Sequence, residues 1–140
     1  MVRVLDFQAT QPLNSFNPAK GFIIPQAPQS VPLATIRINI PSIATRNNHV
    51  ELIATVGVEG ITGIAQILFR IFRDGEEIFN TQTGIESAGS EQNYAITFQA
   101  IDTNLRAGSH VYEVTAENIT GNTTANVVGP ISFSGLAVKR

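Results

Sequence analysis

Apolar and polar residues alternate with a period of two along most of this sequence, and this alternation restricts the chain to β-structure. Leu52, Ala54 and Val56 stand at every second position of one such run. Successive side chains of a strand point to opposite faces, so the pattern buries one face of a sheet. Val, Ile, Thr and Phe dominate the runs, and turn residues separate them at short intervals. The sequence therefore predicts an all-β fold, a single jelly-roll-like antiparallel β-sandwich.

About eight strands are expected after an N-terminal arm, and two of their connections carry recognisable signals. Asp74-Gly75 stands between alternating apolar runs, which predicts a two-residue type I′ hairpin turn. Leu105, Gly108 and Tyr112 resemble the tyrosine corner of Greek-key sandwiches. The predicted strands are residues 33–40, 50–58, 65–73, 76–83, 94–101, 111–116, 124–128 and 131–138.

The composition indicates one domain with a surface that is poor in charge. Charged residues make up 14% of the 140 residues, well below the usual quarter, and hydrophobic residues make up 43%. Such a surface hints at burial in an assembly. The net charge is −2 without any run of like charges, which argues against nucleic acid or an anionic membrane as a partner.

The sequence offers few residues for catalysis or metal binding. Cysteine is absent, which excludes disulfides, thiol catalysis and zinc–thiolate sites. His49 and His110 could form a site only if the fold brings them together, and we expect both at the surface. Glu76 and Glu77 are strand neighbours that point to opposite faces, so they cannot share a proton. We therefore expect no enzyme active site, no metal and no cofactor.

Two further motifs have structural explanations. Gly57, Gly60 and Gly63 are followed by neither Gly-Lys-Ser/Thr nor a helix, so bulges or tight loops explain them better than a phosphate loop. Asn118-Ile119-Thr120 and Asn122-Thr123-Thr124 fit the N-glycosylation pattern. We expect no secretory signal peptide, and we therefore expect a polar turn at both motifs.

The N-terminal region is expected to be a connector arm, residues 1–32, ahead of the sandwich, residues 33–140. Residues 1–7 have the pattern of a β-strand, and a Pro-, Asn- and Gln-rich stretch follows them. A strand on a tether must pair with an open sheet edge, in its own domain or in a neighbour. A long irregular connection inside a compact domain is unusual, which favours a neighbouring subunit. The residues predicted to dock are Val2, Val4, Leu5, Phe7, Phe22, Ile23 and Ile24.

The strand at residues 1–7 is too weak to dock alone. Each of its four large apolar side chains can contribute about 1.5–3 kcal/mol when buried. Ordering each of the seven backbones costs about 1–2 kcal/mol, so the two terms nearly cancel. We therefore expect ladder hydrogen bonds and a second anchor at residues 22–24.

Three stretches resemble the exosporium protein C family of endospore-forming bacteria. They are DFQATQPLNSFNPAKGFIIP, VEGITGIAQILFRIFRDGEEIFNTQTGIES and VVGPISFSGLAVKR. The resemblance implies a spore-surface protein, made in the mother-cell cytoplasm and deposited without a signal peptide. By analogy with spore appendages it also implies a jelly-roll subunit that self-assembles, with its arm joining copies of itself. Other exosporium or spore-coat proteins are further expected partners. The best-known appendage arms use cysteines, so linkage here would be noncovalent.

A second function is left open by the C-terminal residues. ISFSGLAVKR is similar to the last strand of tumour-necrosis-factor-like and complement-like jelly rolls. That resemblance implies a compact trimeric head on the spore surface. Such a head would bind a host surface or a glycan through loops such as residues 84–92. The head would stay trimeric without residues 1–7, whereas the arm-linked subunit would remain folded but unassembled.

Overall fold

Two antiparallel sheets pack face to face in the computed structural model, which describes residues 2–44, 46–89 and 91–140. The described residues contain two short 3-10 turns, Pro18–Lys20 and Ser42–Ala44, and no α-helix. The predicted all-β antiparallel sandwich is confirmed. Its strands are β1 (Arg3–Leu13), β2 (Phe22–Ile23), β3 (Val31–Ile40), β4 (Asn48–Thr62), β5 (Ala65–Arg73), β6 (Glu76–Ile85), β7 (Asn93–Thr103), β8 (Gly108–Asn118) and β9 (Thr124–Lys139).

The strands divide into two sheets whose inner faces form one core. Sheet A has the order β1-β9-β4-β7, with β2 also paired to β9, and sheet B has the order β3-β8-β5-β6. Tyr112, Phe69 and Phe133 are the largest fully buried side chains. Phe69 of sheet B lies 5.2 Å from Phe98 of sheet A between ring centroids, which joins the sheets through an aromatic pair.

The predicted hairpin between β5 and β6 is confirmed. Asp74 and Gly75 both have positive φ, 50° and 85°, as a type I′ turn requires. The Asp74 carboxylate also accepts a hydrogen bond from the backbone N–H of Val111 at 2.9 Å. The turn is therefore fixed to β8 as well as to its own strands.

Two predicted strand breaks are wrong, because the strands continue through both positions with β-bulges. The sequence predicted a loop after residue 58 and a split at Gly129-Pro130, but β4 and β9 run through both places. The β4–β9 register shifts between Val56 and Val58 and again beyond Gly60, which confirms bulges at these glycines. A Cβ on Gly57 would collide with the backbone of Gly129, so the bulge requires glycine there.

The described part of the predicted arm differs most from the prediction, because in this chain β1 and β2 belong to sheet A of the sandwich. The N-terminal strand is longer than residues 1–7, and β1 pairs with β9 from Arg3–Lys139 to Leu13–Ile131. The physical reason is the length of β9, whose 16 residues offer an edge that β1 and β2 fill in turn. The intrachain edge strand that the sequence left open is thus present, and exchange between subunits stays a prediction.

Candidate functional site

The candidate site is the contact between β9 and residues 2–24, which we call the N-terminal segment. After β1 ends, the Asn17 N–H donates to the Val128 carbonyl at 2.8 Å. Phe22 then pairs with Val127, and the Ile24 N–H donates to the Ala125 carbonyl at 2.9 Å. The segment follows β9 from its last residues to its first. The predicted tether is therefore a hydrogen-bonded strip rather than a free connection.

Four apolar side chains hold the strip against the core. Ile24 is buried, with 1% of its surface exposed, and Leu5, Leu13 and Phe22 pack partly buried against the same cluster. Full burial of an isoleucine contributes about 1.5–3 kcal/mol. Within this chain the N-terminal strand and residues 22–24 both contact β9, and their docking onto another subunit stays a prediction. Ile24 is the most deeply buried point of the strip.

The other predicted docking residues face solvent in this chain. Val2, Val4, Phe7 and Ile23 are 58%, 62%, 57% and 61% exposed, respectively. Alternation along the strands explains the difference between Ile23 and Ile24, since neighbours point to opposite faces. Docking on β9 therefore uses Leu5, Phe22 and Ile24 and leaves four large apolar side chains uncovered.

Asp6 contributes a contact that the sequence did not reveal. Its Oδ2 atom accepts a hydrogen bond from the Asn39 N–H of β3 at 2.8 Å, while Oδ1 accepts one from the Phe7 N–H at 2.9 Å. A register shift between Val4 and Asp6 turns this carboxylate toward sheet B. β1 consequently touches the edges of both sheets. No sequence pattern marks the bulge.

Residues 25–30 form the connection between the N-terminal segment and β3, and we call them the hinge. The Pro25 carbonyl accepts from the Asn118 N–H at 2.8 Å, and the Ala27 N–H donates to the Asn118 carbonyl at 2.9 Å. Here the chain leaves β9 of sheet A for β8 of sheet B. The hinge contains Pro25 and Pro28, and Pro32 follows just after it.

The Asn118 side chain organises the turn beside the hinge. It is fully buried, donates to the Thr123 hydroxyl at 3.0 Å and accepts from the Thr120 N–H at 3.0 Å. A buried, hydrogen-bonded amide is inaccessible to a glycosyl donor in the folded chain. The expected polar turn is confirmed for Asn118-Ile119-Thr120.

The two histidines lie in different sheets and are not brought together. His49 on β4 lies 3.3 Å from Glu51, between Nε2 and Oε2. His110 on β8 lies 2.7 Å from the Asp74 carboxylate through Nδ1 and 2.7 Å from the Arg106 carbonyl through Nε2. Burial opposes ionisation of Asp74, but hydrogen bonds from Val111 and His110 outweigh it and lower its pKa. Across residues 2–44, 46–89 and 91–140, no three His, Cys, Asp or Glu residues cluster as metal ligands would.

Asp102 is the centre of a buried network that joins the sheets. Its carboxylate lies 2.6 Å from Arg73 Nη1, and the Tyr112 hydroxyl donates to Oδ2 at 2.7 Å. Burial raises the pKa of Tyr112 well above its usual range, and the hydrogen bond to Asp102 raises it further. Arg73's own hydrogen bond to the Asp102 carboxylate raises the pKa of Arg73. In a tyrosine corner the tyrosine hydroxyl bonds to the backbone. Tyr112 instead bonds to the side-chain carboxylate of Asp102 on β7, the strand that precedes β8.

Comparison with known proteins supports the architecture. No protein-family model and no curated protein sequence matches the chain. The latent PorU dimer of Porphyromonas gingivalis is similar over 96% of this chain and 13% of its own, with 11% identity and a TM-score of 0.50. The VP2 subviral particle of infectious bursal disease virus is similar over 98% of this chain and 32% of its own, with 10% identity and a TM-score of 0.51. Identities this low establish the fold alone.

The helical turns within the described residues are all too short to cross a membrane.

Proposed function

We propose that this protein is a structural subunit of a bacterial spore surface, which assembles into a fibre by docking its N-terminal segment onto β9 of a neighbouring copy. The observation that carries the proposal is the position of the segment. It is an edge strip whose partner strand, β9, lies at the opposite end of the sequence. The hinge is its covalent link to the rest of the chain.

Exchange of the segment would preserve every contact that it makes within its own chain. The hydrogen bonds to β9 and the burial of Leu5, Phe22 and Ile24 would be the same on an identical subunit. Domain swapping is a low-cost route to assembly for this reason. The prolines in and after the hinge restrict its conformations, which lowers the entropic cost of holding it extended.

The geometry of exchange decides between a fibre and a closed particle. If two copies exchange segments reciprocally, the result is a closed dimer, whereas passing the segment from one copy to the next gives an open chain of subunits. An N-terminal strand that leaves one subunit and completes the next sheet is β-strand addition. The likeness to VP2 is a further, coarser support for self-assembly. About a third of the VP2 chain has this sandwich fold, and VP2 forms a subviral particle.

The location on a spore surface is supported by the sequence resemblance and by the low charge of the chain. Without cysteine, the linkage between subunits is noncovalent. Labelling spores with an antibody against the purified protein tests the location independently of the exchange. Surface labelling is expected, and a signal confined to the mother-cell cytoplasm would contradict it.

A disulfide trap tests the exchange directly. Ala9 on β1 lies opposite Ser134 on β9, so cysteines at both positions can cross-link the two strands. Because the natural chain has no cysteine, any disulfide comes from this pair. In an open exchanged fibre the disulfides join successive chains and produce a ladder on a non-reducing gel, whereas reciprocal exchange stops at a cross-linked dimer. Unexchanged chains produce only cross-linked monomers, which would refute the proposal.

A matched control uses Thr55→Cys with Ser132→Cys, a pair on β4 and β9 of the same chain. This pair should give only cross-linked monomers in every state of assembly. A discrete trimer with intrachain Ala9–Ser134 disulfides would instead favour the trimeric head.

A further inference from the structure

The outward side of sheet A has an unusual composition, which we compare with the outward side of sheet B. On sheet A we define the outer face as the outward-pointing residues of β4 from His49 to Thr55, together with the residues beside them on β9, β1 and β7. It carries Val4, Phe7, Leu136, Ile53 and Ile101 among small polar residues such as Ser134 and Thr97.

Four of these five apolar side chains are largely open to solvent. Val4, Phe7, Ile53 and Ile101 are 62%, 57%, 43% and 56% exposed. Phe7, Leu136, Glu51 and Ile101 lie in one row across all four strands. Clustered exposure of this kind on one side of a sheet marks an interaction surface.

Charge distinguishes the two sides of the sandwich. The outer face holds one carboxylate, Glu51, and its side chain is engaged by His49 at 3.3 Å. The outward side of sheet B carries the Arg70 cation between Glu77 and Glu117, with N–O distances of 3.0 and 3.1 Å. The outward side of sheet B therefore carries several charges, whereas the outer face carries no unmatched charge that would repel a copy of itself.

We propose that the outer face of sheet A is an interface that stacks against the same face of a second copy. Four strands of about seven residues, about 4.8 Å apart with about 3.4 Å per residue, cover roughly 450 Å². That is a little over half of the about 800 Å² that each partner contributes to a standard stable interface, so we expect a weak and reversible association. A depression of about 350 Å³ beside Ile53, lined by Ala9 and Ser134, gives the exposed Phe7 ring of the second copy a place to pack.

This stacking goes beyond segment exchange and does not depend on it. Phe7 and Val4 occupy the same places on β9 whether their segment comes from the same chain or from a neighbour. If segments are exchanged, each outer face becomes a composite of two chains, and stacking then joins one fibre to another. If they are not exchanged, stacking gives a two-fold dimer.

The test is sedimentation velocity over a micromolar concentration series with Ile53→Lys, which places a charge at the centre of the outer face. A lysine on an exposed strand position is compatible with folding, and a thermal melt checks this. The matched control is Thr35→Lys, an exposed position on the outward side of sheet B. We expect Ile53→Lys to weaken the wild-type association at least about tenfold, as loss of a central interface contact does, and Thr35→Lys to leave it unchanged.

A second readout uses the absence of tryptophan from the chain. Phe7→Trp places a single indole on the outer face, and its emission should shift to the blue as concentration rises. Ile101→Lys replaces Ile53→Lys if the latter fails to fold. The proposal is overturned if Ile53→Lys or Ile101→Lys associates like the wild type, or if the emission of the Phe7→Trp variant stays that of a water-exposed indole at every concentration.

The disulfide trap separates this result from the fate of the exchange. A ladder from the Ala9–Ser134 pair that persists in Ile53→Lys, with loss of higher association, supports both ideas. A ladder combined with unchanged higher association of the Ile53→Lys variant overturns the stacking alone. Loss of association without any ladder overturns the exchange alone.

Discussion

Arg73 on sheet B donates from Nη1 to both carboxylate oxygens of Asp102 on sheet A, at 2.6 and 2.7 Å. The side chains are 25% and 9% exposed, respectively, so this pair is shielded from water. It closes one end of the sandwich between the two sheets. The Tyr112 hydroxyl completes the site from the neighbouring strand β8.

Removing the charge of Asp102 should destabilise the fold. In Asp102→Asn, the Arg73 guanidinium stays largely buried without its counter-ion, and Tyr112 loses a charged acceptor. We expect the free energy of unfolding to fall by about 2–4 kcal/mol. Urea denaturation followed by circular dichroism measures it. Glu51→Gln, which alters the more exposed pair with His49, should cost no more than about 1 kcal/mol. Equal losses in both variants would contradict a special role for Asp102.

Tyr112 should make the protein sensitive to alkaline pH. Its pKa is raised in the folded state, so the folded chain keeps the proton after the unfolded chain begins to lose it. The stabilisation is therefore complete below the unfolded pKa of about 10 and is lost as the pH rises above it. Tyr112→Phe should cost about 1 kcal/mol at neutral pH and flatten this alkaline decline.

The measurement is the free energy of unfolding between neutral and strongly alkaline pH for both proteins. Tyr94→Phe serves as the control for the second tyrosine of the chain. If the wild type and Tyr112→Phe decline in parallel, the hydroxyl does not carry the effect.

Ile23 and Ile24 offer a matched pair for the anchor of the N-terminal segment. Ile24→Ala removes a side chain that is 1% exposed and should cost about 2–5 kcal/mol. Ile23→Ala alters a side chain that is 61% exposed and should stay within about 0.5 kcal/mol. Thermal or chemical unfolding compares the two. A large loss at Ile23 with none at Ile24 would reverse the assigned orientation of β2.

Deleting residues 1–13 should separate folding from assembly. The truncated chain keeps β2 and Ile24, so it should still unfold cooperatively, but it has no β1 to lend. Electron microscopy should show no fibres, and a labelled peptide of residues 2–13 should bind to the vacated edge of β9. Fibres formed by the truncated chain would contradict assembly through β1.

The sequence predicted the features that depend on local pattern. Alternation gave the sheets, and Asp74-Gly75 specified its turn because few other residues tolerate two consecutive positive φ values. The pairing of β1 with β9 could not be predicted, since it joins residues more than a hundred positions apart with no pattern in common. Asp6 illustrates the same limit, because a bulge rather than its spacing directs its carboxylate to Asn39.

The pairing of Arg3 with Lys139 also makes the two ends of the sandwich different. Both ends of the described chain emerge side by side at one pole of the sandwich, on neighbouring strands about 4.8 Å apart. The hinge lies at the other pole, where Gln26 bridges to Asn118. A passenger domain fused to either end would therefore project from the pole opposite the hinge and leave the hinge uncovered.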